Sequence, residues 1–265
     1  MNPEPGNDSA RPGLATRVAS LLPETWFTGA MATAYRRFEP ELPRIDDFCP
    51  RGGTALDVGA WYGPWSRALA TRVDQVLAFE PNPSVAQVLR RTVPVNVEVI
   101  EAVAGSGTTT TATLWVPPSG RGTEGIASTL AHGEDALPLT VSATTLDAVV
   151  AEHVQGAVSI VKIDVEGAEQ AVLAGAVDTL TTHRPVLLIE LEYHRSDVDA
   201  TVASLGKLGY AAEVLVAGAW RPLVSFDLRA HQAEVLPRVE GRGLIGRVLR
   251  PGPTYINNVL FRART

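Results

Sequence analysis

Two short segments contain the residue types that hold a nucleoside. In the first, an apolar run ends in Asp57-Val58-Gly59, and in the second, Glu80 closes the next apolar run after one helical interval. Glycine lets the backbone turn sharply and approach a ligand, and an acid at the end of the second strand accepts hydrogen bonds from ribose hydroxyls. The two segments together predict a nucleoside-binding site.

The glycine spacing distinguishes between nucleoside classes. Dinucleotide sites use Gly-x-Gly-x-x-Gly, whose closely spaced glycines admit a pyrophosphate to the helix N-terminus. Here Gly59 and Gly63 instead flank the bulky pair Trp61 and Tyr62, which suits a phosphate-free nucleoside such as S-adenosylmethionine better. The candidate cofactor-binding residues of this turn are Asp57, Gly59, Ala60 and Gly63. A nicotinamide-dependent oxidoreductase and a non-catalytic nucleoside-binding partner subunit remain the alternatives.

Three more candidate side chains follow predicted strand ends further along the chain. Asp164 ends one apolar strand, Glu190 ends the next, and His194 lies just beyond it. The carboxyl ends of parallel strands meet at one edge of a sheet, so we expect these side chains to lie on the side where Asp57 and Glu80 hold the cofactor. Asp164 has a simpler alternative role as the cap of the helix that follows it.

The elements that position these residues alternate between strand and helix after residue 53, which predicts a doubly wound α/β fold. Its sheet is expected to be mostly parallel and seven-stranded. The predicted strands are residues 55–58, 75–80, 97–104, 159–164, 186–191, 212–217 and 259–264. The predicted helices between them are residues 64–71, 84–92, 168–180 and 198–208.

The amino-acid composition limits which substrates and which cellular locations fit this chain. The 265 residues carry a formal charge of -6 with scattered Lys and Arg, which favours a small or neutral substrate over a nucleic acid. The single cysteine, Cys49, excludes an internal disulfide framework and a cysteine metal cluster. The longest apolar stretches are too short to span a bilayer. We therefore expect a cytoplasmic location.

Five ordered motifs add a family resemblance that covers roughly residues 54–261. They are Asp57-Val58-Gly59-Ala60, Phe79-Glu80-Pro81-Asn82-Pro83, Thr145-Leu146-Asp147, Val161-Lys162-Ile163-Asp164-Val165-Glu166-Gly167-Ala168-Glu169 and Leu188-Ile189-Glu190. In this order the chain resembles the FkbM family of S-adenosylmethionine-dependent O-methyltransferases. It departs from many of these relatives at Trp61 and Tyr62, where they have asparagine and a small or polar residue.

The resemblance implies a class I, Rossmann-like methyltransferase fold with S-adenosylmethionine as cofactor. It also implies an acceptor hydroxyl on a sugar, a glycolipid precursor or a glycosylated natural product. Glu101, after the third strand, borders the expected adenine pocket, and Ser128 is similar to a family position near the cofactor. Asp164 is included among the cofactor-binding candidates.

Methyl transfer to an alcohol requires removal of a weakly acidic proton, by a general base or by a bound cation that lowers its pKa. His194 is the first candidate base because imidazole titrates near neutral pH, with His132 as its rival and Asp164 as a catalytic partner. The hard oxygen atoms of Asp164 and Glu190 predict a Mg²⁺ or Mn²⁺ site. Glu166 and Glu169 favour a structural role in the first turn of a helix.

Three segments complete the predicted organisation. Residues 1–50 form a tail and an N-terminal helical extension, with a helix expected over residues 14–38. Residues 51–265 form the methyltransferase domain. Residues 105–139 interrupt its alternation and, being rich in glycine and proline, are expected to act as a lid. The helical extension suits packing against the domain, cover of the substrate or a homodimer contact.

Overall fold

The computed structural model describes residues 23–37, 39–116, 136–239 and 253–264. Eleven strands lie in these residues: β1 (Thr54–Val58), β2 (Gln75–Phe79), β3 (Val97–Ile100), β4 (Val103–Ala104), β5 (Thr111–Val116), β6 (Leu137–Thr144), β7 (Val158–Ile163), β8 (Val186–Glu190), β9 (Tyr210–Val216), β10 (Ala219–Pro222) and β11 (Asn258–Ala263). No helix in the described ranges is long and apolar enough to cross a membrane.

The main sheet has eight strands in the order β10-β9-β11-β8-β7-β1-β2-β3. Strands β3, β2, β1, β7 and β8 are parallel, whereas β11 runs antiparallel to both β8 and β9. The predicted α/β sheet is therefore confirmed, but the predicted count of seven strands is wrong. The additional strand is β10, which folds back on β9 as an antiparallel edge strand.

Helices cover the sheet between its strands. They are α1 (Glu24–Tyr35), α2 (Pro64–Leu69), α3 (Pro83–Thr92), α4 (Leu146–His153), α5 (Glu169–Ala174), α6 (Val177–Thr182), α7 (Val198–Lys207) and α8 (Leu228–Val239). The start of α3 shows why such helices form here: Pro83 fixes the first helical φ, and the Asn82 side chain accepts the Ser84 amide. Apolar residues at helical spacing then bury one face of α3.

The predicted helix over residues 168–180 is two helices, α5 and α6. The Asp147 carboxylate on α4 accepts the backbone amides of Asp178 at 3.1 Å and Thr179 at 2.8 Å. These amides lie in the first turn of α6, where a helix has no internal acceptors for its N–H groups. A carboxylate from another helix therefore starts α6 separately.

The predicted strand over residues 97–104 also divides, into β3 and β4. The Ala102 amide donates to the Ile100 carbonyl oxygen at 3.0 Å, which turns the chain out of the main sheet. Strand β4 then pairs with β6, and β6 pairs with β5, to form a separate three-stranded sheet. This small sheet contains the described part of the predicted lid, whose residues 117–135 lie outside the described ranges.

Helix α1 is the described part of the predicted N-terminal helix. Its Phe27 and Met31 are buried against Tyr62, Val85 and Val88, so α1 packs on the turn after β1 and on α3. The ring of Phe27 meets the ring of Tyr62 edge to face at 5.1 Å between centroids. This contact supports a packing role for the extension.

Candidate active site

The candidate site lies at the edge where the parallel strands β1, β2, β7 and β8 end. The chain winds outward from β1 to β2 and later returns to β7 on the other side of β1, so β1 and β7 flank a topological switch point. Open α/β sheets bind ligands at this position. Antiparallel β11 starts at the same edge, with Asn258 opposite Glu190.

Gly59 opens the β1–α2 turn (residues 59–63) with a φ of +84°, a conformation that L side chains rarely adopt. A Cβ atom at this position would lie 1.9 Å from the Asp164 carbonyl oxygen. The amides of Gly59 and Ala60 both donate to the Phe79 carbonyl oxygen, at 3.1 and 2.9 Å. Glycine therefore lets the β1–α2 turn lie directly against the end of β7.

Gly59→Ala is expected to destabilise the fold by roughly 2–6 kcal/mol, because backbone strain and overpacking add at this position. Urea unfolding measures the change in the free energy of unfolding. Gly206→Ala on α7 is the matched control, since its Cβ would meet nothing within 4 Å. A Gly59→Ala midpoint equal to that of the control would contradict this account of the turn.

Glu80 directly follows β2, and its carboxylate bonds both to the β1–α2 turn and to the residue before α3. Its Oε2 atom accepts the Trp61 amide at 3.0 Å, and its Oε1 atom accepts the Asn82 amide at 2.8 Å. The side chain is buried, which raises the pKa of Glu80 to about 7, while these two amides oppose the shift. Each carboxylate oxygen retains a second lone pair for a further donor.

Trp61 adopts a left-handed conformation, with a φ of 49°, which is unusual for a bulky side chain. Its ring contacts Tyr35 of α1 and Tyr62, with centroid distances of 5.6 and 5.0 Å. Asparagine tolerates this conformation better than tryptophan does. The aromatic contacts with α1 compensate for the backbone strain, and the strain presents the Trp61 amide to Glu80.

Asp57 is buried within β1, where its Oδ2 atom accepts the Ser66 hydroxyl at 2.5 Å. Burial raises the pKa of Asp57 to about 6, and the Ser66 hydroxyl and the Lys162 ammonium oppose that shift. Lys162 is its cross-strand neighbour on β7. These contacts bind β1 to α2 and β7, and direct contact of Asp57 with a cofactor stays a prediction.

The other predicted cofactor residues are distributed around the same edge. Gly63 adopts a left-handed conformation at the N-cap of α2, and Ala60 is buried. Glu101 follows β3, where its exposed carboxylate forms an ion pair with Arg90 of α3 at 2.7 Å. Ser128 lies outside the described residues, as does the rival base, His132.

Asp164 and Glu190 meet, as the strand order predicted. Glu190 shares a hydrogen bond with Asp164, and burial together with the charge of Asp164 raises the pKa of Glu190 well above its usual range. The Lys162 ammonium lies 3.5 Å from Asp164 Oδ2. Helix α5 begins at Glu169 with Ala168 at its N-cap, so Asp164 does not cap it. A hydrogen bond between two carboxyl groups requires one proton, so the Asp164–Glu190 pair shares a proton beside the Lys162 ammonium.

The predicted Mg²⁺ or Mn²⁺ site at Asp164 and Glu190 does not fit this donor set. Glu190 shares a hydrogen bond with Asp164 and already accepts the Asn257 side-chain amide at 2.5 Å, while the Lys162 ammonium lies 3.5 Å from Asp164 Oδ2. Across the described ranges, no group of three or more His, Cys, Asp or Glu side chains is arranged to hold a metal ion.

A small cleft, open to solvent, lies beside the Asp164–Glu190 pair. We call it the acidic cleft, and its charged lining residues are Asp164, Glu166, Glu169, Glu190, Glu192 and Arg195. Glu166 precedes α5 instead of lying in its first turn, and it forms an ion pair with Arg195. The expectation that Glu166 belongs to the helix is therefore wrong, since the residue lines the cleft.

His194 lies after β8, as predicted, but it does not line the acidic cleft. Its Nε2 atom accepts a hydrogen bond from Nε of Arg195 at 2.9 Å. A nitrogen that already accepts a hydrogen bond is not free to take a proton from an acceptor hydroxyl. The catalytic roles of His194 and of Asp164 stay predictions.

Lys162 is the principal site residue that the motif analysis did not single out. It is fully buried in β7, and although burial lowers the pKa of Lys162, the neighbouring carboxyl groups, Asp164 first among them, together raise it by more. The signal was present as a lysine inside an otherwise apolar strand, because a buried ammonium requires paired carboxylates. Glu39 and Glu41 were also missed, and both bond to the Asn258 side chain.

The parallel strands, the antiparallel β11 and the nucleoside-type turn at their carboxyl edge define a Rossmann-like methyltransferase of class I. The sequence model described as the methyltransferase FkbM domain matches residues 57–212, more than half of the chain. The chain therefore belongs to the FkbM methyltransferase family, and the predicted resemblance is confirmed.

Several solved structures are similar over most of this chain. The methyltransferase FkbM from Methylobacillus flagellatus KT is 16% identical with a TM-score of 0.39, over 94% of this chain and 58% of the other. A putative methyltransferase from Streptococcus mutans, in complex with SAH, is 10% identical with a TM-score of 0.43, over 86% and 97%. The complex of the Haloferax volcanii Trm112 methyltransferase activator with a putative methyltransferase is 13% identical with a TM-score of 0.45, over 94% of this chain and 97% of the other.

The chain therefore spans 58% of the length of the Methylobacillus protein. No curated protein sequence matches this chain.

Proposed function

We propose that this chain transfers a methyl group from S-adenosylmethionine to a hydroxyl group of a carbohydrate or a glycosylated natural product. The observation that carries the proposal is the placement of two kinds of carboxyl group at one sheet edge. Glu80 lies after β2 on one side of β1, and the Asp164–Glu190 pair lies on the other side. The first suits a ribose, and the second suits an acceptor hydroxyl.

Glu80 is proposed to accept both ribose hydroxyls through the second lone pairs of its carboxylate oxygens. The β1–α2 turn would lie against the methionine end, where Gly59 keeps the backbone free of side-chain atoms. Asp57, Ala60, Gly63, Glu101 and Ser128 complete the proposed cofactor set. S-adenosylmethionine supplies a methyl group on a positively charged sulfur.

Asp164 is proposed to orient the acceptor hydroxyl and to take its proton. As the oxygen–carbon bond forms and the carbon–sulfur bond breaks, the hydroxyl proton passes to the Asp164 carboxylate. The Lys162 ammonium lies 3.5 Å from Asp164 Oδ2 and is the positive charge that faces this carboxyl group. Positioning of the two reactants supplies most of the remaining acceleration.

The proposal is tested by calorimetry with S-adenosylhomocysteine and with NAD, followed by transfer of labelled methyl to a panel of sugars and glycosides. We expect S-adenosylhomocysteine to bind and NAD not to bind, because the β1–α2 turn lacks the dinucleotide glycines. Binding of NAD alone would favour an oxidoreductase. Binding of S-adenosylhomocysteine without transfer to any acceptor would instead indicate a non-catalytic partner subunit.

A further inference from the structure

We infer that Glu39, which follows α1, is a positioning residue of the active site and holds the Lys162 ammonium in its place beside Asp164. The N-terminal extension thus supplies a part of the active site in addition to its packing contacts. This deepens the proposed function, and the effect on turnover rests on that function. Three observations carry the inference: a shared face of the sheet, the bonds of Glu39 to that face, and the charges around Lys162.

A row of polar side chains lies on one face of the main sheet. Residues that are opposite each other on paired strands point to the same face, and so do residues two apart on one strand. Leu188 on β8 lies opposite Lys162 on β7, so Glu190, two residues further on, shares the face of Lys162. Asn258 on β11 lies opposite Glu190, and Asp57 on β1 lies opposite Lys162. Lys162 and Asn258 therefore flank Glu190 on one face of the sheet.

The segment that follows α1 covers this face of the sheet. Its Leu42 belongs to the same buried apolar cluster as Leu188 of β8. Glu39 Oε2 accepts the Asn258 side-chain amide at 2.6 Å, and Glu41 Oε2 lies 3.5 Å from the same nitrogen. Asn258 and Glu41 are almost fully buried. The carboxyl groups of the extension are therefore fixed against the row of polar side chains.

Lys162 depends on the carboxylates around it, because a buried ammonium is costly unless it is paired. Burial lowers the pKa of Lys162, and the charges of Asp164, Glu190, Glu39 and Asp57 raise it, in that order. The first two share a proton, so together they carry a single negative charge. Of these four groups, only Glu39 comes from outside the sheet. Its charge acts both on Lys162 and on Glu190.

Glu39 supplies the negative charge of the extension. Burial and the charge of Glu39 raise the pKa of Glu41 to about 8, so Glu41 is mostly protonated at pH 7. Loss of the Glu39 charge leaves Lys162 to Asp57 and to the proton-sharing pair. The ammonium is then expected to draw more strongly on Asp164, the base of the proposed reaction. A carboxylate held more strongly by a cation accepts a proton less readily.

Nuclear magnetic resonance of protein labelled with ¹⁵N-lysine tests the inference directly, because the sequence contains two lysines, Lys162 and the exposed Lys207. Glu39→Gln keeps an acceptor for Asn258 but removes the charge, whereas Glu39→Asp keeps the charge on a shorter side chain. We expect the Lys162 ammonium protons to exchange with solvent at least about tenfold faster in Glu39→Gln. Glu39→Asp should recover most of the protection, and the Lys207 signal should not change in either variant.

Turnover of the same variants, with the best acceptor of the panel, gives the second measurement. Glu39→Gln is expected to lower kcat at least about fivefold with little change in KM, because it alters the base and not the binding of either reactant. Glu39→Asp should recover most of kcat. Glu234→Gln, on the exposed face of α8, is the control. A purely structural hydrogen bond to Asn258 predicts the reverse order, since glutamine would preserve that bond and aspartate would be too short.

Unchanged exchange of the Lys162 ammonium in Glu39→Gln would overturn the inference, and so would a larger loss of kcat in Glu39→Asp than in Glu39→Gln. The lysine spectra require neither an acceptor nor turnover, and the Lys207 signal reports whether each variant is folded. Failure of the proposed function has a different signature, since S-adenosylhomocysteine would then not bind to the wild-type protein, whatever the lysine spectra show.

Discussion

Glu80→Ala is expected to lower the affinity for S-adenosylhomocysteine at least about tenfold, because hydrogen bonds to a charged group are worth roughly 1.5–3 kcal/mol each. The loss has two sources in this structure. The ribose loses its carboxylate, and the amides of Trp61 and Asn82 lose the acceptor that positions the β1–α2 turn. Isothermal titration calorimetry measures the change.

Glu80→Gln separates the two sources of that loss. Glutamine keeps one acceptor oxygen, so one of the two amides stays bonded, while the charge is lost. We expect an affinity between those of the wild type and Glu80→Ala. Glu101→Gln is measured beside it as a second member of the proposed cofactor set. The Glu101 carboxylate is exposed after β3 and pairs with Arg90 instead of with a backbone amide. Unchanged affinity in Glu80→Ala would remove Glu80 from the cofactor site.

The same side chain predicts a pH dependence of cofactor binding. Burial raises the pKa of Glu80 to about 7, so the protonated fraction of free protein grows as the pH falls below that value. Only the ionised form accepts hydrogen bonds through both oxygens. Affinity should therefore be constant above pH 8 and fall by up to about tenfold for each pH unit below 7. Glu80→Gln should lack this decline.

The cofactor half of the site was predictable because its signals are local in the sequence. The acid at the end of the second apolar run singled out Glu80, and the spacing of Gly59 and Gly63 disfavoured a dinucleotide turn. The structure places both features where the strand pattern put them. What the pattern could not give was the backbone role of Trp61, because a left-handed conformation in a bulky residue depends on its contacts with Tyr35 and Tyr62.

The contacts around Asp164 and Glu190, on the proposed acceptor side of the site, were harder to predict because they join residues that are distant in the sequence. Asp164 and Glu190 were expected to meet, since they end neighbouring strands, but whether a metal or a lysine would neutralise them was set by the burial of Lys162. The contacts of Asn258 with Glu39 and Glu41 join positions more than 200 residues apart. Such pairings follow from the antiparallel placement of β11, and they have no local sequence signal.

Strand β10 and the divided elements show the same limit. A hairpin edge strand such as Ala219–Pro222 is short and mostly exposed, so its periodicity is weak. The break between α5 and α6 is produced by Asp147, a side chain from another helix. The central strands of the sheet were therefore predictable, whereas an edge strand and the boundaries set by tertiary contacts were not.

Asp164→Asn is expected to lower turnover by about 10²–10⁴-fold, the usual contribution of a positioned proton transfer, while S-adenosylhomocysteine still binds. Asparagine keeps the size of the side chain and its contact with Glu190, but it cannot accept the hydroxyl proton. Transfer of labelled methyl to the best acceptor of the panel measures turnover, and calorimetry measures cofactor binding on the same preparations.

Glu190→Gln tests the assignment of protons within the pair. Burial and the charge of Asp164 raise the pKa of Glu190 well above its usual range. Glutamine can also donate a hydrogen bond to Asp164, so turnover should fall much less than in Asp164→Asn. A metal site would behave differently, since losing either ligand would then have similar effects and a chelator would reproduce them.

His194→Ala should retain near wild-type turnover, because its Nε2 atom is engaged by Arg195. A large loss in His194→Ala, with full turnover in Asp164→Asn, would transfer the role of base to His194.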